Sequence, residues 1–261
     1  MKKLISILMV LVSMEVAALT LAMPATSNAI DIKSDYDLES YDNEMRYQMK
    51  QQGRMVYNVG DLINGAPEVR MEAAWYLGYI SDPQAIDPLI AALRDVNSEV
   101  RSNAANSLGR IGDIRAVDPL IVALREDNYP QVRAMAIRSL YAIGDLRAID
   151  PLIEALKDDA IEVRMYAASA LGYLNDAKAV NPLIQALNDN EKDVRECAAK
   201  SLGILNDTKA VDPLIAVLRA KTCGGSYRGG NCGPLRRTAA ESLGKIGDPR
   251  AVDSLIDAVK E

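Results

Sequence analysis

The sequence has no histidine and no phenylalanine, and its 261 residues include only three cysteines and one tryptophan. Without histidine, the chain lacks the usual base for activating a serine or cysteine nucleophile, and it lacks the commonest metal ligand. It also has no phosphate-binding P-loop, no dinucleotide-binding glycine fingerprint and no Cys-x-x-Cys pair. These absences exclude the commonest catalytic and metal-binding centres. We therefore expect a protein without catalytic residues, a cofactor or a metal ion.

Positive charge is also in short supply. The chain carries 30 lysines and arginines against 36 aspartates and glutamates, which gives a formal net charge of −6 at pH 7. Binding to the phosphate backbone of a nucleic acid depends on a basic field. We therefore expect no nucleic-acid partner.

The first 29 residues are typical of a secretory signal. Lys2 and Lys3 precede an apolar run over residues 4–23, and the small residues Ser27 and Ala29 suit cleavage after position 29. We therefore predict an exported protein, periplasmic or extracellular. The alternative is that residues 4–23 remain as a membrane anchor, because the run approaches the length that spans a bilayer. In that case the chain meets the membrane only through this uncleaved segment.

Two phrases alternate along the chain after residue 66. The first is written AIDPLI from residue 85, AVDPLI from 116, AIDPLI from 148, AVNPLI from 179, AVDPLI from 210 and AVDSLI from 251. The second, of the form EVRMEAAWYLG, has an apolar residue that recurs 31, 32, 31, 31 and 41 residues apart: Val69, Val100, Val132, Val163, Val194 and Leu235. Such a period is typical of stacked helical repeats.

Each phrase predicts one helix. In the first phrase an aspartate such as Asp87 is a suitable N-cap, and the proline after it suits the first helical position. In the second phrase four apolar residues fall on one helical face: Val100, Ala104, Leu108 and Ile111. Gly112 then ends the helix. Neither helix can bury its apolar face alone, so successive pairs must stack and share a core.

The pattern DPLI.AL.D....VR..AA.SLG.IGD, over residues 66–261, resembles the short HEAT-like repeats of phycobilin lyases and the broader HEAT family. The resemblance implies an all-α fold, an α-solenoid of about six short helical hairpins. It also implies a ladder in which an aspartate in each turn pairs with an arginine at the start of the second helix. The matching pairs are Asp95 with Arg101, Asp127 with Arg133, Asp158 with Arg164, and Asp189 with Arg195.

The segment before the repeats has a different character. Residues 30–43 are acidic and lack apolar periodicity, which predicts a flexible lead-in. Residues 44–65 are predicted to form a helix that caps the first repeat, because an open solenoid end would expose its core.

The fifth repeat carries an insertion over residues 221–234. Cys223 and Cys232 lie nine residues apart in this glycine-rich stretch, and in an exported protein such a pair predicts a disulfide. Two interpretations stay open: a surface loop pinned by the disulfide, or a binding loop that presents Tyr227 and Arg228. The third cysteine, Cys197, stands at a position that varies between repeats, and it is either an incidental thiol or an attachment point.

One row of residues on the second helices lies opposite the buried stripe. We call it the inner row, and it contains the residues three, six and ten positions after each recurring apolar residue: Glu72, Trp75, Tyr79, Asn103, Asn106, Arg110, Met135, Arg138, Ala142, Tyr166, Ser169, Tyr173, Cys197, Lys200, Ile204, Thr238, Glu241 and Lys245. The row varies between repeats while the core positions do not, and in solenoids such a row lines the concave side. Large rings and arginines are typical of binding surfaces. The predicted partner-binding residues are Trp75, Tyr79, Arg110, Met135, Arg138, Tyr166 and Tyr173, together with Tyr227 and Arg228 of the insertion.

These features predict a non-catalytic scaffold or adaptor that binds a protein or peptide partner on the inner row. Two alternatives remain open. The resemblance to phycobilin lyases implies a lyase-like or chaperone-like helper for cofactor attachment, although those enzymes serve cytoplasmic pigment proteins. An uncleaved N-terminal segment would instead favour a membrane-tethered structural spacer.

Overall fold

The structure is a computed structural model that describes residues 57–220 and 233–260. These residues form thirteen α-helices and no strand. The helices are α1 (Val59–Asn64), α2 (Pro67–Tyr79), α3 (Ile86–Ala92), α4 (Ser98–Ile111), α5 (Val117–Glu126), α6 (Pro130–Ile143), α7 (Ile149–Ala155), α8 (Ile161–Leu174), α9 (Val180–Ala186), α10 (Lys192–Leu205), α11 (Val211–Arg219), α12 (Gly233–Ile246) and α13 (Val252–Lys260). The predicted all-α class is confirmed.

The helices alternate between two kinds. From α3 onward the odd-numbered first helices contain the DPLI phrase or its variants NPLI and DSLI, and the even-numbered second helices contain the VR phrase, with Leu-Arg in α12. From α3 onward, a single turn of 3-10 helix leads into each first helix. Six consecutive hairpins, α1–α2 to α11–α12, are followed by α13. The α-solenoid predicted from the repeats is therefore confirmed.

Five of the six second helices end where a glycine or asparagine adopts left-handed backbone geometry. The φ angle is 75° at Gly112, 76° at Gly144 and 66° at Gly247, and it is 54° at Asn175 and 52° at Asn206. Glycine and asparagine tolerate this region better than other residues do. The predicted stop at Gly112 is confirmed, and asparagine performs the same function in two repeats.

First helices begin differently from the prediction. Helix α3 starts at Ile86, so Asp87 lies inside its first turn and is not the N-cap. The capping aspartate stands earlier, because Asp82 caps the 3-10 turn by accepting the backbone N–H of Gln84 at 2.9 Å. In the next repeat Asp113 does the same. The Asp-Pro motif was misleading because the 3-10 turn leads directly into the α-helix.

One hydrophobic core extends along the whole array, from Leu62 to Ala251. Val100, Ala104 and Leu108 of the predicted stripe are fully buried in it, and Ile111 is half-buried against it. Each repeat therefore completes the core of its neighbour, as a solenoid requires.

The second helices approach one another closely, and a glycine makes this possible. A methyl group at Gly109 of α4 would lie 2.6 Å from the Ser139 hydroxyl oxygen and 2.7 Å from the Ser139 Cα on α6. Ser139 also donates a hydrogen bond across the same contact to the carbonyl oxygen of Ala105, at 2.7 Å. The equivalent pairs are Gly78 with Ser107, Gly172 with Ser201 and Gly203 with Ser242.

The first helices are farther apart. Successive second helices share extensive contacts, whereas successive first helices share few. A stack that is tight on one side and loose on the other must curve toward the tight side. The second helices therefore form the inner face, where the inner row was predicted to lie.

Some predicted segments lie outside the described residues. These are the signal over residues 1–29, the lead-in over 30–43, the first part of the capping segment, and residues 221–232 of the insertion. The capping segment is described from Tyr57, where α1 packs against α2 and α3. None of the helices within residues 57–220 and 233–260 is both long enough and apolar enough to cross a membrane.

Candidate functional site

The arginine that recurs at the start of the second helices forms a ladder, but not with the predicted partner. Arg101 donates from Nε and Nη2 to the carboxylate of Asp127, in the following repeat, at 2.6 and 3.0 Å. Its Nη1 donates to the main-chain oxygen of Asp95, in its own turn, at 2.8 Å. The carboxylate contacts that connect the other repeats join Arg70 to Asp95, Arg133 to Asp158 and Arg164 to Asp189.

The predicted pairing six residues apart is therefore wrong for the carboxylates. Arg101, Arg133 and Arg164 each bind the main chain of the predicted aspartate and the side chain of the next one. Arg70, which was not predicted, binds the main chain of Gly65 and the side chain of Asp95. Each carboxylate also caps its own turn: Asp95 accepts the backbone N–H of Asn97 at 2.9 Å. The hydrogen bonds from Arg70 hold the pKa of Asp95 below its usual value. The ladder is a structural device that ties repeat to repeat.

The last arginine of the described ladder differs from the others. Arg195 donates to the main-chain oxygens of Asp189 and Asn190 at 2.6 and 2.9 Å. No aspartate of the described residues pairs with it, and its buried Nε has no hydrogen-bond partner there. The insertion follows at the next turn, and its residues 221–232 contain no aspartate or glutamate to continue the ladder.

A second set of ion pairs joins the first helices on the outer face. Arg115 contacts Asp87 at 3.2 Å, and Arg147 contacts Asp118 at 2.9 Å. These side chains are largely exposed, so each pair contributes little to stability. The outer aspartates thus serve as partners for the next repeat rather than as helix caps.

The inner row begins with an aromatic cluster. Trp75 stacks on Tyr79, with ring centroids 5.2 Å apart and ring planes inclined by 16°. The guanidinium of Arg110 lies over the Tyr79 ring, 5.6 Å from its centroid. Tyr79 is only 3% exposed, so it supports its neighbours rather than offering a surface of its own. Trp75 and Arg110 are half-buried and retain accessible faces.

A second cluster lies at the middle of the array. Met135 and Arg138 of α6 are half-buried neighbours, with Nη1 of the arginine 4.0 Å from the sulfur. On α8, Tyr166 and Tyr173 are also half-buried. The structure thus places these four predicted residues on adjacent second helices.

Sequence reasoning missed Tyr141, which joins the second cluster. Its ring lies 5.3 Å from the Tyr173 ring. Tyr141 stands nine positions after Val132, where four other repeats have the close-contact glycine, and Ala170 replaces the facing serine. The sequence contained a signal for this contact, because at the α6–α8 junction the glycine is replaced by Tyr141 and the serine by Ala170.

The row is more enclosed toward its C-terminal end. Ser169, Cys197 and Thr238 are buried, while Lys200 and Ile204 are half-buried. Burial raises the pKa of the Cys197 thiol, so less of it is in the reactive thiolate form. An attachment role for this cysteine is therefore disfavoured. Tyr227, Arg228, Cys223 and Cys232 lie outside the described residues.

A cavity of about 940 Å³ lies on the other face, between the first helices α3 and α5. Its walls include Asp87, Asp118 and the ladder residue Asp127. All three carboxylates already contact an arginine of the array. We interpret this cavity as the gap that curvature opens between first helices, and we take the inner row as the candidate site. No group of side chains within residues 57–220 and 233–259 is suited to hold a metal ion.

Comparisons with known proteins agree with this architecture. The fold and its ladder define an α-solenoid of helical hairpins. The family model described as HEAT repeats matches residues 61–141, 115–161 and 149–222, and that described as PBS lyase HEAT-like repeat matches residues 235–261. The chain belongs to the HEAT repeat family. No curated protein matches its sequence at a significant level.

Several solved structures are similar in fold. The Escherichia coli protein YibA is 21% identical, with a TM-score of 0.61, and the match covers 88% of this chain and 82% of that one. An engineered protein is 21% identical, with a TM-score of 0.53 and coverage of 72% and 94%. A designed armadillo repeat protein in complex with the peptide (KR)4 is 18% identical, with a TM-score of 0.53 and coverage of 72% and 97%.

Proposed function

We propose that this protein is a non-catalytic scaffold that binds a protein or peptide partner along the inner row. The observation that carries the proposal is the composition of this surface. Half-buried rings and cations, Trp75, Arg110, Arg138, Tyr166 and Tyr173, project from consecutive second helices. Such side chains combine large contact area with directed hydrogen-bond donors, which is what binding surfaces select.

The repeat architecture supports the same proposal. Core positions are nearly invariant along the array, whereas inner-row positions change from repeat to repeat. Apart from the buried positions such as Tyr79 and Cys197, packing therefore does not dictate the inner row, and a rigid series of different side chains can recognise an extended partner. The designed armadillo protein of similar fold holds a peptide. This supports a repeat array of this kind as a peptide-binding framework.

Export is part of the proposal. The basic start, apolar run and small residues of positions 1–29 favour secretion, so the partner would lie outside the cytoplasm. N-terminal sequencing of the protein recovered from its producing cells tests this. A mature chain that begins at Ile30 supports export with cleavage. An intact N-terminus in the membrane fraction would instead support anchoring through residues 4–23.

Partner capture from an envelope extract tests the binding surface. We expect the triple variant Trp75→Ala, Tyr166→Ala, Tyr173→Ala to recover at least about tenfold less partner than the wild type, because it removes three anchor rings. A matched control replaces three exposed apolar side chains elsewhere: Val96→Ala, Ile114→Ala and Leu146→Ala. Equal recovery by the triple variant and the control, at equal helicity, would refute the assignment to the inner row.

A further inference from the structure

We propose that Arg195 binds the side-chain carboxylate of an aspartate or glutamate of the partner, in the place of a ladder aspartate that the chain itself does not supply. This inference rests on the proposed function and deepens it, because it names a chemical group that the partner carries. Three observations support it: the unsatisfied donor of Arg195, the alanine at the position of its aspartate, and the commitments of the neighbouring carboxylates.

Arg195 is held in the same way as the ladder arginines before it. Its Nη1 donates to the main-chain oxygen of Asp189 at 2.6 Å, and Nη1 of Arg164 donates to the main-chain oxygen of Asp158 at 2.9 Å. One arm of the guanidinium is thus fixed on the turn of its own repeat. Because a guanidinium is planar and rigid, the edge formed by Nε and Nη2 then faces the next repeat.

That edge is occupied in Arg164 and open in Arg195. Nε and Nη2 of Arg164 donate to the two carboxylate oxygens of Asp189 at 2.8 and 3.1 Å. Arg195 is only 6% exposed, and its buried Nε has no hydrogen-bond partner within residues 57–220 and 233–260. A buried donor without an acceptor is costly, and more so when it carries a charge. The position therefore favours a ligand that accepts hydrogen bonds from it.

An alanine stands where the next ladder aspartate would be. Ala220 ends α11 with an extended backbone, at φ −64° and ψ 121°, and Asp127 ends α5 in the same way, at φ −72° and ψ 132°. Asp127 is the aspartate whose carboxylate Arg101 binds. Alanine and aspartate differ by one carboxyl group, which is the group that the Nε–Nη2 edge of Arg195 lacks. We call this edge together with Ala220 the open rung.

The carboxylates nearest to Ala220 in the sequence are engaged elsewhere. The last one before it, Asp212, contacts Arg250 at 3.0 Å on the outer face. The first one after it, Glu241, lies two turns into α12 and contacts Arg237 at 3.9 Å. Neither the turn nor the insertion contributes an acidic residue, so a carboxylate from outside this part of the chain is needed to complete the rung.

The geometry of the ladder selects a carboxylate as the ligand. Paired Nε and Nη2 donors match the two coplanar oxygens of a carboxylate, and Arg101 binds Asp127 in this way at 2.6 and 3.0 Å. A partner carboxylate at Arg195 would make the same two charged hydrogen bonds.

The open rung also lies where a partner on the inner row can reach it. Equivalent residues of successive second helices contact one another, so these helices lie side by side in the same direction, and the ladder follows the edge where they begin. Arg195 stands two residues before Cys197 of the inner row. An extended partner laid across the second helices can therefore place one acidic side chain at the rung while its other side chains contact the rings.

The first test follows the Nε–H signal of Arg195 by nuclear magnetic resonance while sodium propionate is added to the full-length chain at constant ionic strength. We expect a saturable shift with a midpoint on the order of 10 mM, toward the position of the Arg164 signal, whose guanidinium already binds a carboxylate. Propionamide, the uncharged isostere, should produce no saturable shift. The Arg195 signal is assigned by its loss in Arg195→Lys.

A substitution that closes the rung gives the complementary test. Ala220→Asp supplies the missing carboxylate from within the chain, so it should abolish the response to propionate and raise the urea midpoint of unfolding. Ala216→Asp adds the same charge at an exposed position of the same helix, and it should leave the response to propionate unchanged. Partner capture should fall at least about tenfold in Ala220→Asp and in Arg195→Gln, but not in Ala216→Asp.

Three results would overturn the inference. An Arg195 signal that lies at the ladder position before any propionate is added would show that another part of this chain fills the rung. A signal that does not respond to propionate, or that responds equally to propionamide, would show that no carboxylate binds there. Equal capture by Ala220→Asp and Ala216→Asp would show that the partner does not use the rung.

Failure of this inference is distinguishable from failure of the proposed function. If capture depends on Trp75, Tyr166 and Tyr173 but not on Ala220→Asp, only the carboxylate contact is refuted. If capture depends on the open rung and is insensitive to those three rings, the assignment of partner binding to the inner row is refuted instead.

Discussion

At the scale of single residues, the same side chain type performs two tasks. Arg101 is nearly buried and joins two repeats through Asp127, with side chains 12% and 7% exposed. Arg110, two turns later on the same helix, rests on a ring at the inner surface. Depth separates the two positions, because a buried guanidinium must have all its donors satisfied within the protein, whereas one nearer the surface also meets solvent.

The ladder geometry predicts a specific pattern of energetic coupling. In double-mutant cycles, Asp127→Ala should couple to Arg101→Gln by about 1–3 kcal/mol, because the two side chains share two charged hydrogen bonds. Coupling of Asp127→Ala to Arg133→Gln should stay within about 0.5 kcal/mol, because Arg133 binds the main-chain oxygen that the alanine retains. Urea unfolding measures both cycles. Stronger coupling of Asp127 to Arg133 than to Arg101 would contradict this geometry and support ion pairing within one repeat.

At the scale of helices, the spacing between second helices depends on one small residue in each. Four glycines receive a serine of the next second helix, and that serine donates to a carbonyl oxygen across the contact. At the α6–α8 junction Tyr141 replaces the glycine and Ala170 the serine. The exception occurs beside the central cluster of the inner row, so a position that elsewhere holds the contact glycine there holds a half-buried ring.

Substituting these glycines separates packing from helix propensity. Gly109→Ala should lower the free energy of unfolding by about 1–2 kcal/mol, because overpacking against Ser139 outweighs the gain in helix propensity. Gly244→Ala is the matched control, since it occupies the same helical position and a methyl group there meets no atom within 4 Å. It should raise stability by about 0.5–1 kcal/mol. Denaturant unfolding followed by circular dichroism measures both, and stabilisation by Gly109→Ala would contradict the close contact.

At the scale of the whole molecule, stability is distributed along a line. Each repeat contacts its neighbours in sequence, so the array behaves as a series of coupled units rather than as one globular core. Three features act between adjacent repeats: the arginine–aspartate ladder, the serine–glycine contact and the shared apolar stripe. A rigid curved surface results, and its inner side can display different residues at a fixed spacing.

Because each repeat is coupled mainly to its neighbours, we expect a destabilising substitution to lower stability most in the repeats next to it. Trp75, the single tryptophan, reports unfolding near the N-terminal end, while circular dichroism reports all helices. Gly203→Ala, near the other end, should lower the dichroism midpoint more than the Trp75 fluorescence midpoint. Gly78→Ala, beside Trp75, should do the reverse. Equal shifts of both probes in both variants would indicate a single cooperative unit.

The sequence alone determined the helices, their order and the family, because the same pattern of apolar and helix-ending residues recurs in each repeat. Val100, Ala104 and Leu108 mark a buried stripe, and Gly112 marks a stop, through local rules of periodicity and backbone conformation. It also indicated the inner row, because the residues at these positions differ from repeat to repeat.

Only the tertiary structure decided which groups meet across repeats. The separation of six residues pointed to Asp95 as the partner of Arg101, yet stacking brings the carboxylate of Asp127 to the guanidinium and leaves Asp95 its main-chain contact. Tyr79 and Cys197 belong to the varying row, but neighbouring helices bury them. Tyr141 joins the central cluster through its contact with Tyr173, at the junction that has no glycine. Contacts between residues some 25 to 34 positions apart depend on how repeats stack, and that spacing is not encoded in any one repeat.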